Sequence, residues 1–154
     1  MDDYRIIPVD ESFNSRILSI LGASPIEAGG LTLHFDKSPD IFTISRMKYP
    51  EAMHLGIVSG ADLVGFASMG FYNALVKGKE ECISTFYNFF ILPKARGHRL
   101  SERVLLEFKK LAVSKSRFAI AITLRGNRPV ESYLQGNNDS ELPPARIIDS
   151  LCVK

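Results

Sequence analysis

Four basic side chains crowd one short segment in the middle of the chain, where they could bind an anion together. They are Lys94, Arg96, His98 and Arg99. A helix is predicted to begin directly after them, and a helix N-terminus already bears roughly half a positive charge. Such crowding is unfavourable without an anion nearby, so the free backbone N–H groups and the basic side chains predict a phosphate site. Gly97 lets a ligand approach the main chain closely. The alternative is a solvated basic turn without a ligand.

Acid–base groups are scarce beside this segment. Residues 83–92, the apolar strand that precedes it, contain no Asp, Glu or His. Glu80 and Glu81 at the start of that strand are the nearest candidates for a general base, and both are more typical of a solvated turn. His34 and His54 each stand alone in the sequence and are interpreted as structural residues. No Cys or His pair has the spacing of a zinc site, so no metal is expected.

The elements that must position these residues follow from hydrophobic periodicity. Asp10 is typical of a helix N-cap, and an apolar stripe from Val104 to Ala112 predicts a helix directly after the basic segment. A strand, a helix and a strand with short joints form a right-handed crossover, so the two flanking strands are expected to be parallel. The predicted domain is α+β, or mixed α/β, with an antiparallel meander before the crossover. Strands are predicted over 4–9, 54–58, 63–69, 82–92, 118–124 and 145–153, with further helices behind Asp10, over 40–45 and over 127–134.

Length and composition are typical of one globular domain. The 154 residues are about one domain's worth, and 45% hydrophobic with 23% charged residues excludes a disordered chain. A net charge of +2 is too small to indicate nucleic-acid binding, and no apolar stretch approaches the ~18 residues of a membrane span. Cys82 and Cys152 cannot build a disulfide framework, and the acidic N-terminus is unlike a signal peptide. We therefore expect a single domain over residues 1–154, in the cytoplasm.

Residues 91–101, which read Ile-Leu-Pro-Lys-Ala-Arg-Gly-His-Arg-Leu-Ser, resemble the acetyl-CoA loop of the GNAT acetyltransferases. In that family an apolar residue, any residue and a proline precede an Arg/Gln-x-x-Gly-x-Gly/Ala loop. Arg99 and Ser101 stand here at the small-residue positions. The predicted order of elements is also similar to the family's over nearly the whole chain. The resemblance implies a central mixed sheet with helices on both faces, in which the strand before the loop splays from its parallel neighbour.

The same resemblance assigns the residues of the site. The backbone of Phe90, Ile91 and Leu92 would meet the pantetheine arm of the cofactor. Asn127, in a segment similar to the family's Asn-x-x-Ala helix, would bond that arm, and Tyr133 in the same helix would protonate the departing thiolate. A tyrosine at helical spacing is also typical of a core position. The pyrophosphate would be held by Arg96, Gly97, His98, Arg99, Leu100 and Ser101.

The activity that the resemblance implies is N-acyl transfer from an acyl-CoA, with acetyl-CoA as co-substrate and no metal. An amine-bearing acceptor would attack the thioester directly. One alternative is a GNAT-like module that binds CoA or another ligand without catalysis, which Arg99, Ser101 and the lack of a carboxylate in residues 83–92 favour. Another is that the chain is one half of a tandem protein, which the irregular C-terminal stretch permits. A homodimer is compatible with the resemblance because many GNAT domains pair through their last strands.

The acceptor side is less well defined by the sequence. A weaker likeness to a GNAT subgroup would place Asp40 and Phe42 near the acceptor groove. The alternative for this pair is a helix cap with its phenylalanine in the core. Tyr72 and Asn73 are further candidates to line that groove.

Overall fold

The computed structural model of the chain describes residues 3–23, 26–28, 31–33, 40–116 and 118–121. The predicted helix over 127–134, the predicted strand over 145–153 and the end of the strand predicted over 118–124 lie outside this part. The strands are β1 (Tyr4–Pro8), β2 (Ile26–Ala28), β3 (Leu31–Leu33), β4 (Glu51–Ser59), β5 (Asp62–Val76), β6 (Lys79–Ile91) and β7 (Phe118–Ala121). The helices are α1 (Asn14–Ala23), α2 (Ile41–Lys48) and α3 (Leu100–Lys115), with 3₁₀ turns at Glu11–Phe13 and Pro93–Ala95.

The main sheet has the order β1-β4-β5-β6-β7. Its pairs are antiparallel except β6 and β7, which are parallel and joined through α3. This arrangement confirms the predicted meander followed by a crossover. The short strands β2 and β3 form a separate antiparallel pair; the sequence analysis did not predict it because each strand has only three residues.

The hairpin of β5 and β6 is longer than the sequence analysis predicted. Its strands pair continuously to Val76 and Lys79. Lys77 and Gly78 in the connecting turn both have positive φ, +52° and +78°. Two consecutive residues with positive φ form a type I′ turn, whose twist matches the twist of the flanking strands. Both strands are therefore longer than the apolar segments from which the sequence predicts them.

Helices cover both faces of the sheet, as predicted. Helix α3 packs through Val104, Phe108 and Ala112 on one face, where all three side chains are buried. Helices α1 and α2 pack on the other face, where Ile17 and Phe42 join a second apolar cluster. We call these the α3 face and the α2 face of the sheet.

Two aspartates begin the helical segments of the α2 face. The Asp10 carboxylate accepts from the Ser12 N–H and caps the 3₁₀ turn before α1, at the position predicted for an N-cap. The Asp40 carboxylate caps α2 by accepting from the Phe42 N–H at 2.9 Å. Among the described segments, no helix has the length and hydropathy needed to cross a bilayer.

Candidate functional site

The end of β6 presents backbone groups on two edges. The Leu92 N–H donates to the Val64 carbonyl oxygen of the neighbouring strand at 2.8 Å. Successive residues of a strand turn their polar groups to opposite edges, so the N–H and C=O of Ile91 face away from β5. The Ile91 carbonyl accepts from Arg96 Nε at 3.0 Å. The Ile91 N–H points toward the same edge, which is the edge on which β7 lies.

A bulge interrupts β6 just before this end. Ser68 pairs with Tyr87 and Phe66 pairs with Phe90, so β6 has one residue more than β5 between these pairs. Asn88 in the bulge has a φ of +52°. Bulges re-aim side chains and are over-represented next to active sites. The Phe90 side chain is buried in the core of the α2 face, so a ligand at this strand would meet its backbone.

The parallel pairing of β6 with β7 is described only at its beginning. Residues 83–86 of β6 pair with Phe118–Ala121, and β6 continues to Ile91. The chain after Ala121, where the resemblance implies that the two strands splay, lies outside the described residues. Asn127 and Tyr133 lie there too, so their predicted roles remain predictions.

The segment between β6 and α3 is an open turn in front of a helix N-terminus. Gly97 has a φ of +88°, and a Cβ built on it would meet nothing within 4 Å. Arg99 precedes the helix with a left-handed φ of +55° and makes no side-chain cap bond. The first backbone N–H groups of a helix have no carbonyl partner within it. The turn therefore offers N–H groups and the positive end of the helix dipole to an anion.

One of the four basic side chains of this segment is paired with a carboxylate of the chain. The Arg99 guanidinium donates to Glu102 through Nε at 2.9 Å and through Nη2 at 2.6 Å. These bonds to Glu102 raise the pKa of Arg99. Because Glu102 lies in the first turn of α3, it also complements the helix dipole. The repulsion that predicted a bound anion is thus relieved in part by an internal carboxylate.

The other predicted residues of the loop take up different positions. The Arg96 side chain folds back onto Ile91, as described above, and Lys94 is exposed. The His98 ring lies 5.0 Å from the Tyr4 ring, between centroids, which links the loop to β1. Leu100 is buried in the core of the α3 face and Ser101 is exposed.

A polar row crosses the α2 face beside the bulge. Register places His54 of β4 opposite Ser68 of β5, and Ser68 opposite Tyr87 of β6. His54 Nδ1 lies 2.8 Å from Ser68 Oγ, and Ser68 is fully buried. Burial lowers the pKa of His54, Arg46 lowers it further, and Asp40 opposes the shift. His54 is therefore a neutral imidazole at pH 7.

Two further tyrosines, Tyr49 and Tyr72, lie beside Tyr87. The Tyr49 ring lies 4.8 Å from the Tyr87 ring and 6.1 Å from the Tyr72 ring, between centroids. The Tyr87 hydroxyl is buried beside that of Ser45, which favours its ionised form slightly. The Ser45 hydroxyl itself donates to the Ile41 carbonyl, at 2.7 Å. Burial raises the pKa of Tyr49 and Tyr87, so both phenols are neutral at physiological pH.

A cavity of about 300 Å³ opens beside His54 and Tyr49. An ion pair between Arg46 and Glu11 lies at its wall. The rest of the lining is Val9, Asp10, Phe42, Pro50 and Ala52. Sequence reasoning treated His54 as an isolated structural residue, because the register that brings it to Ser68 and Tyr87 is not visible within any one strand.

The remaining candidates of the acceptor side have structural partners. Asp40 caps α2, and Phe42 is buried with its ring 4.6 Å from that of His54. Asn73 Nδ2 donates to Glu80 Oε1 at 3.0 Å. Asp40 and Phe42 thus form the capped helix with an aromatic core residue that was the alternative to an acceptor role. No group of three or more potential metal ligands occurs among the described residues.

Comparison with known proteins identifies the fold. Neither a family model nor a curated protein matches the sequence. An acetyltransferase from Trypanosoma brucei is 18% identical with a TM-score of 0.62, covering 86% of this chain and 91% of that one. A ribosomal-protein-alanine N-acetyltransferase from Brucella melitensis is 13% identical with a TM-score of 0.64, covering 96% and 94%. A predicted acetyltransferase from Clostridium acetobutylicum, solved with acetyl-CoA, is 16% identical with a TM-score of 0.58, covering 86% and 88%.

These likenesses confirm the GNAT fold that the loop resemblance predicted. The low identities fit a divergent sequence on that fold. They concern architecture, and a fold hosts more than one activity. The function must therefore be argued from the residues of the site.

Proposed function

We propose that this chain is an acyl-CoA-dependent N-acyltransferase, which transfers an acetyl group from acetyl-CoA to an amine. The observation that supports it most is the junction of β6 and α3 in a GNAT fold. There a bulged strand ends in an open turn at Gly97, directly before the unpaired N–H groups of a helix N-terminus. An acyl-CoA has the matching chemistry, a pyrophosphate joined to a long amide-bearing arm.

Each part of the cofactor has a proposed partner in the chain. The pyrophosphate lies over the turn, where the α3 N–H groups and the exposed Lys94 side chain face it. The pantetheine arm lies along the β7 edge of β6 in this proposal, and the Ile91 N–H, which points to that edge, would bond one of its amide groups. Asn127 is proposed to bond the same arm.

The proposed chemistry is direct attack of the amine on the thioester carbonyl. A backbone N–H of β6 polarises that carbonyl oxygen, and the stabilisation grows as negative charge develops on the oxygen. Holding both substrates in one cleft supplies a further part of the rate enhancement. Tyr133 protonates the departing sulfur in this proposal.

Thermal melting with and without acetyl-CoA and CoA tests the binding step. A ligand present at about 100 times its dissociation constant adds about 2.7 kcal/mol to the free energy of unfolding. For a chain of this size we expect the melting temperature to rise by several degrees. No rise with either ligand would remove the proposal.

Release of free thiol from acetyl-CoA over a panel of amines tests the transfer step. We expect release with at least one amine and a slower turnover in Tyr133→Phe at unchanged CoA affinity. Binding without thiol release across the panel would leave the second candidate, a CoA-binding module without catalysis. The feature that favours this second candidate is Arg99, which stands at a small-residue position of the loop and is held on Glu102.

The assembly and location of the protein are further proposals. We propose a single domain over residues 1–154 that works in the cytoplasm, either alone or as a homodimer. The solution mass, measured by light scattering, separates the monomer from the homodimer and from a tandem arrangement with a second chain.

A further inference from the structure

Arg99 and Glu102 form an exposed ion pair beside the turn on which the cofactor's pyrophosphate is proposed to lie. Nε and Nη2 of Arg99 both donate to one carboxylate oxygen, Glu102 Oε2, at 2.9 Å and 2.6 Å. The Arg99 side chain is 81% exposed and the Glu102 side chain is 47% exposed. Because Arg99 directly precedes α3, its guanidinium belongs to the same turn as the proposed phosphate site.

This ion pair can be exchanged for a stronger one. An exposed ion pair contributes little to stability, because water solvates both charges well. A guanidinium has five N–H donors, and the structure directs two of them at a single oxygen of Glu102. A phosphate offers more negative charge and several oxygens, and it binds a guanidinium through two parallel hydrogen bonds. We therefore expect a phosphate group beside Arg99 to replace the carboxylate.

The other basic side chains of the turn have different surroundings. Arg96 donates to a backbone carbonyl of β6, and the His98 ring packs against an aromatic ring of β1. Lys94 is exposed. Of these four side chains, only Arg99 is bonded to a carboxylate among the described residues. Arg99 is therefore the one with an anionic partner that a phosphate would displace.

We propose that Glu102 competes with a phosphate group of acyl-CoA for the Arg99 guanidinium, so that this pair sets the affinity of the cofactor site. The proposal rests on the proposed function and adds to it a carboxylate that regulates the cofactor site. In the free protein Glu102 is the anionic partner of Arg99. When acyl-CoA binds, the guanidinium leaves Glu102 and donates to a phosphate oxygen, and the carboxylate is solvated by water. No covalent bond changes in this step.

The affinity of the chain for CoA, measured by calorimetric titration, tests the exchange. Arg99→Gln should raise Kd about tenfold, because a hydrogen bond to a charged group contributes more than the exposed ion pair that is given up. Glu102→Gln should lower Kd about 2- to 5-fold, because no ion pair then has to be broken. When Arg99 is already glutamine, Glu102→Gln should have a smaller effect, which a double-mutant cycle measures.

The same helix contains a matched control pair. Lys110 Nζ donates to Glu107 Oε1 at 2.9 Å across the same i,i+3 spacing, and the two side chains are 70% and 46% exposed. This pair lies further along α3, away from the turn. Lys110→Gln and Glu107→Gln change the net charge as the Arg99 and Glu102 substitutions do, but they should leave the Kd for CoA close to the wild-type value.

Arg99→Asn separates binding from folding. The backbone at this position is left-handed, with a φ of +55°, and asparagine is one of the few residues other than glycine that adopts this conformation routinely. The variant should therefore melt close to wild type in the absence of ligand. It should still raise Kd as Arg99→Gln does. In both variants Kd should rise less steeply with salt, because one charged contact to the ligand is missing.

Dephospho-CoA identifies the phosphate that Arg99 binds, because it lacks the 3′-phosphate of CoA and keeps the pyrophosphate. If the partner is the 3′-phosphate, Arg99→Gln should weaken the binding of CoA and leave that of dephospho-CoA unchanged. If the partner is the pyrophosphate, the variant should weaken the binding of both ligands equally. Either result supports the exchange.

The outcomes separate this proposal from the proposed function. Wild-type protein that binds neither CoA nor acetyl-CoA would overturn both. An affinity for CoA that is unchanged in Arg99→Gln and Arg99→Asn would overturn the exchange and leave the proposed function in place. Equal rises in Kd in the Arg99 and Lys110 variants, or a Glu102→Gln variant that binds CoA no more tightly than wild type, would overturn the exchange as well.

Discussion

Alanine at Gly97 should weaken CoA binding far more than it weakens the fold. Gly97 has a φ of +88°, and an added Cβ would meet nothing within 4 Å. An L-residue in the left-handed region costs about 1–2 kcal/mol, and alanine recovers about 0.4–1 kcal/mol by restricting the unfolded chain. The net loss in the free energy of unfolding is therefore about 1 kcal/mol, or about 2–4 °C in melting temperature.

Two other glycines of the chain are matched controls. Gly60 and Gly78 have φ values of +59° and +78°, and a Cβ on either would likewise meet nothing within 4 Å. Alanine at these positions should cost the same stability as alanine at Gly97. Both lie in hairpin turns rather than before α3, so neither substitution should alter the affinity for CoA.

Calorimetric titration of the three alanine variants with CoA, beside denaturant melts, separates the two effects. The methyl group at position 97 would stand where the pyrophosphate approaches the main chain, so we expect at least a tenfold rise in Kd, about 1.4 kcal/mol. The ligand-induced rise in melting temperature should shrink accordingly in this variant only. Equal CoA affinities in the Gly97 and Gly78 variants would refute the assignment of the pyrophosphate to this turn.

Three further predictions concern the scaffold of the α2 face. Gly70→Ala would place its Cβ inside the Tyr49 ring, so the ring must move and we expect a loss of about 1–3 kcal/mol in urea unfolding; an unchanged midpoint would contradict this packing. Asp40→Ala should lose about 1 kcal/mol through the missing cap of α2, with Asp40→Asn close to wild type in the same melts. Burial lowers the pKa of His54 below its ordinary 6.5, so the unfolded chain binds more protons between the two pKa values. The free energy of unfolding should therefore fall as the pH drops through 6.5 and then level off; a His54→Gln variant with the same slope would contradict this.

The sequence predicts those parts of the fold whose signals are local. The apolar stripe of α3 recurs at helical spacing, and the apolar run of β6 ends at a proline, so the strand–helix–strand order can be read directly. Asp10 as an N-cap follows from one side chain and its neighbours. The solved acetyltransferases of similar fold confirm the architecture that these signals and the loop resemblance predicted.

The features that escaped prediction depend on how the strands pair. The bulge at Asn88 and the row from His54 to Tyr87 arise from the register of β4, β5 and β6. A shift of one residue would move every side chain to the other face, and a single strand's sequence does not contain that information. The sequence therefore offered Glu80 and Glu81 at the start of β6 as the nearest acid–base candidates, whereas the register places His54 in the same row as Tyr87, two strands away from β6.

Arg99 has a left-handed backbone conformation that its residue type does not favour. The family pattern has a small residue here, and the chain keeps the left-handed backbone that glycine would adopt easily, with a φ of +55°. The strain of about 1–2 kcal/mol is opposed by the two bonds from its guanidinium to Glu102. This pair is largely exposed, and exposed ion pairs stabilise a fold only weakly, so the left-handed conformation is held mainly by the elements on either side, β6 and α3. Arg99 thus keeps a left-handed backbone at the helix start, and compared with a small residue it adds a charged side chain to the turn.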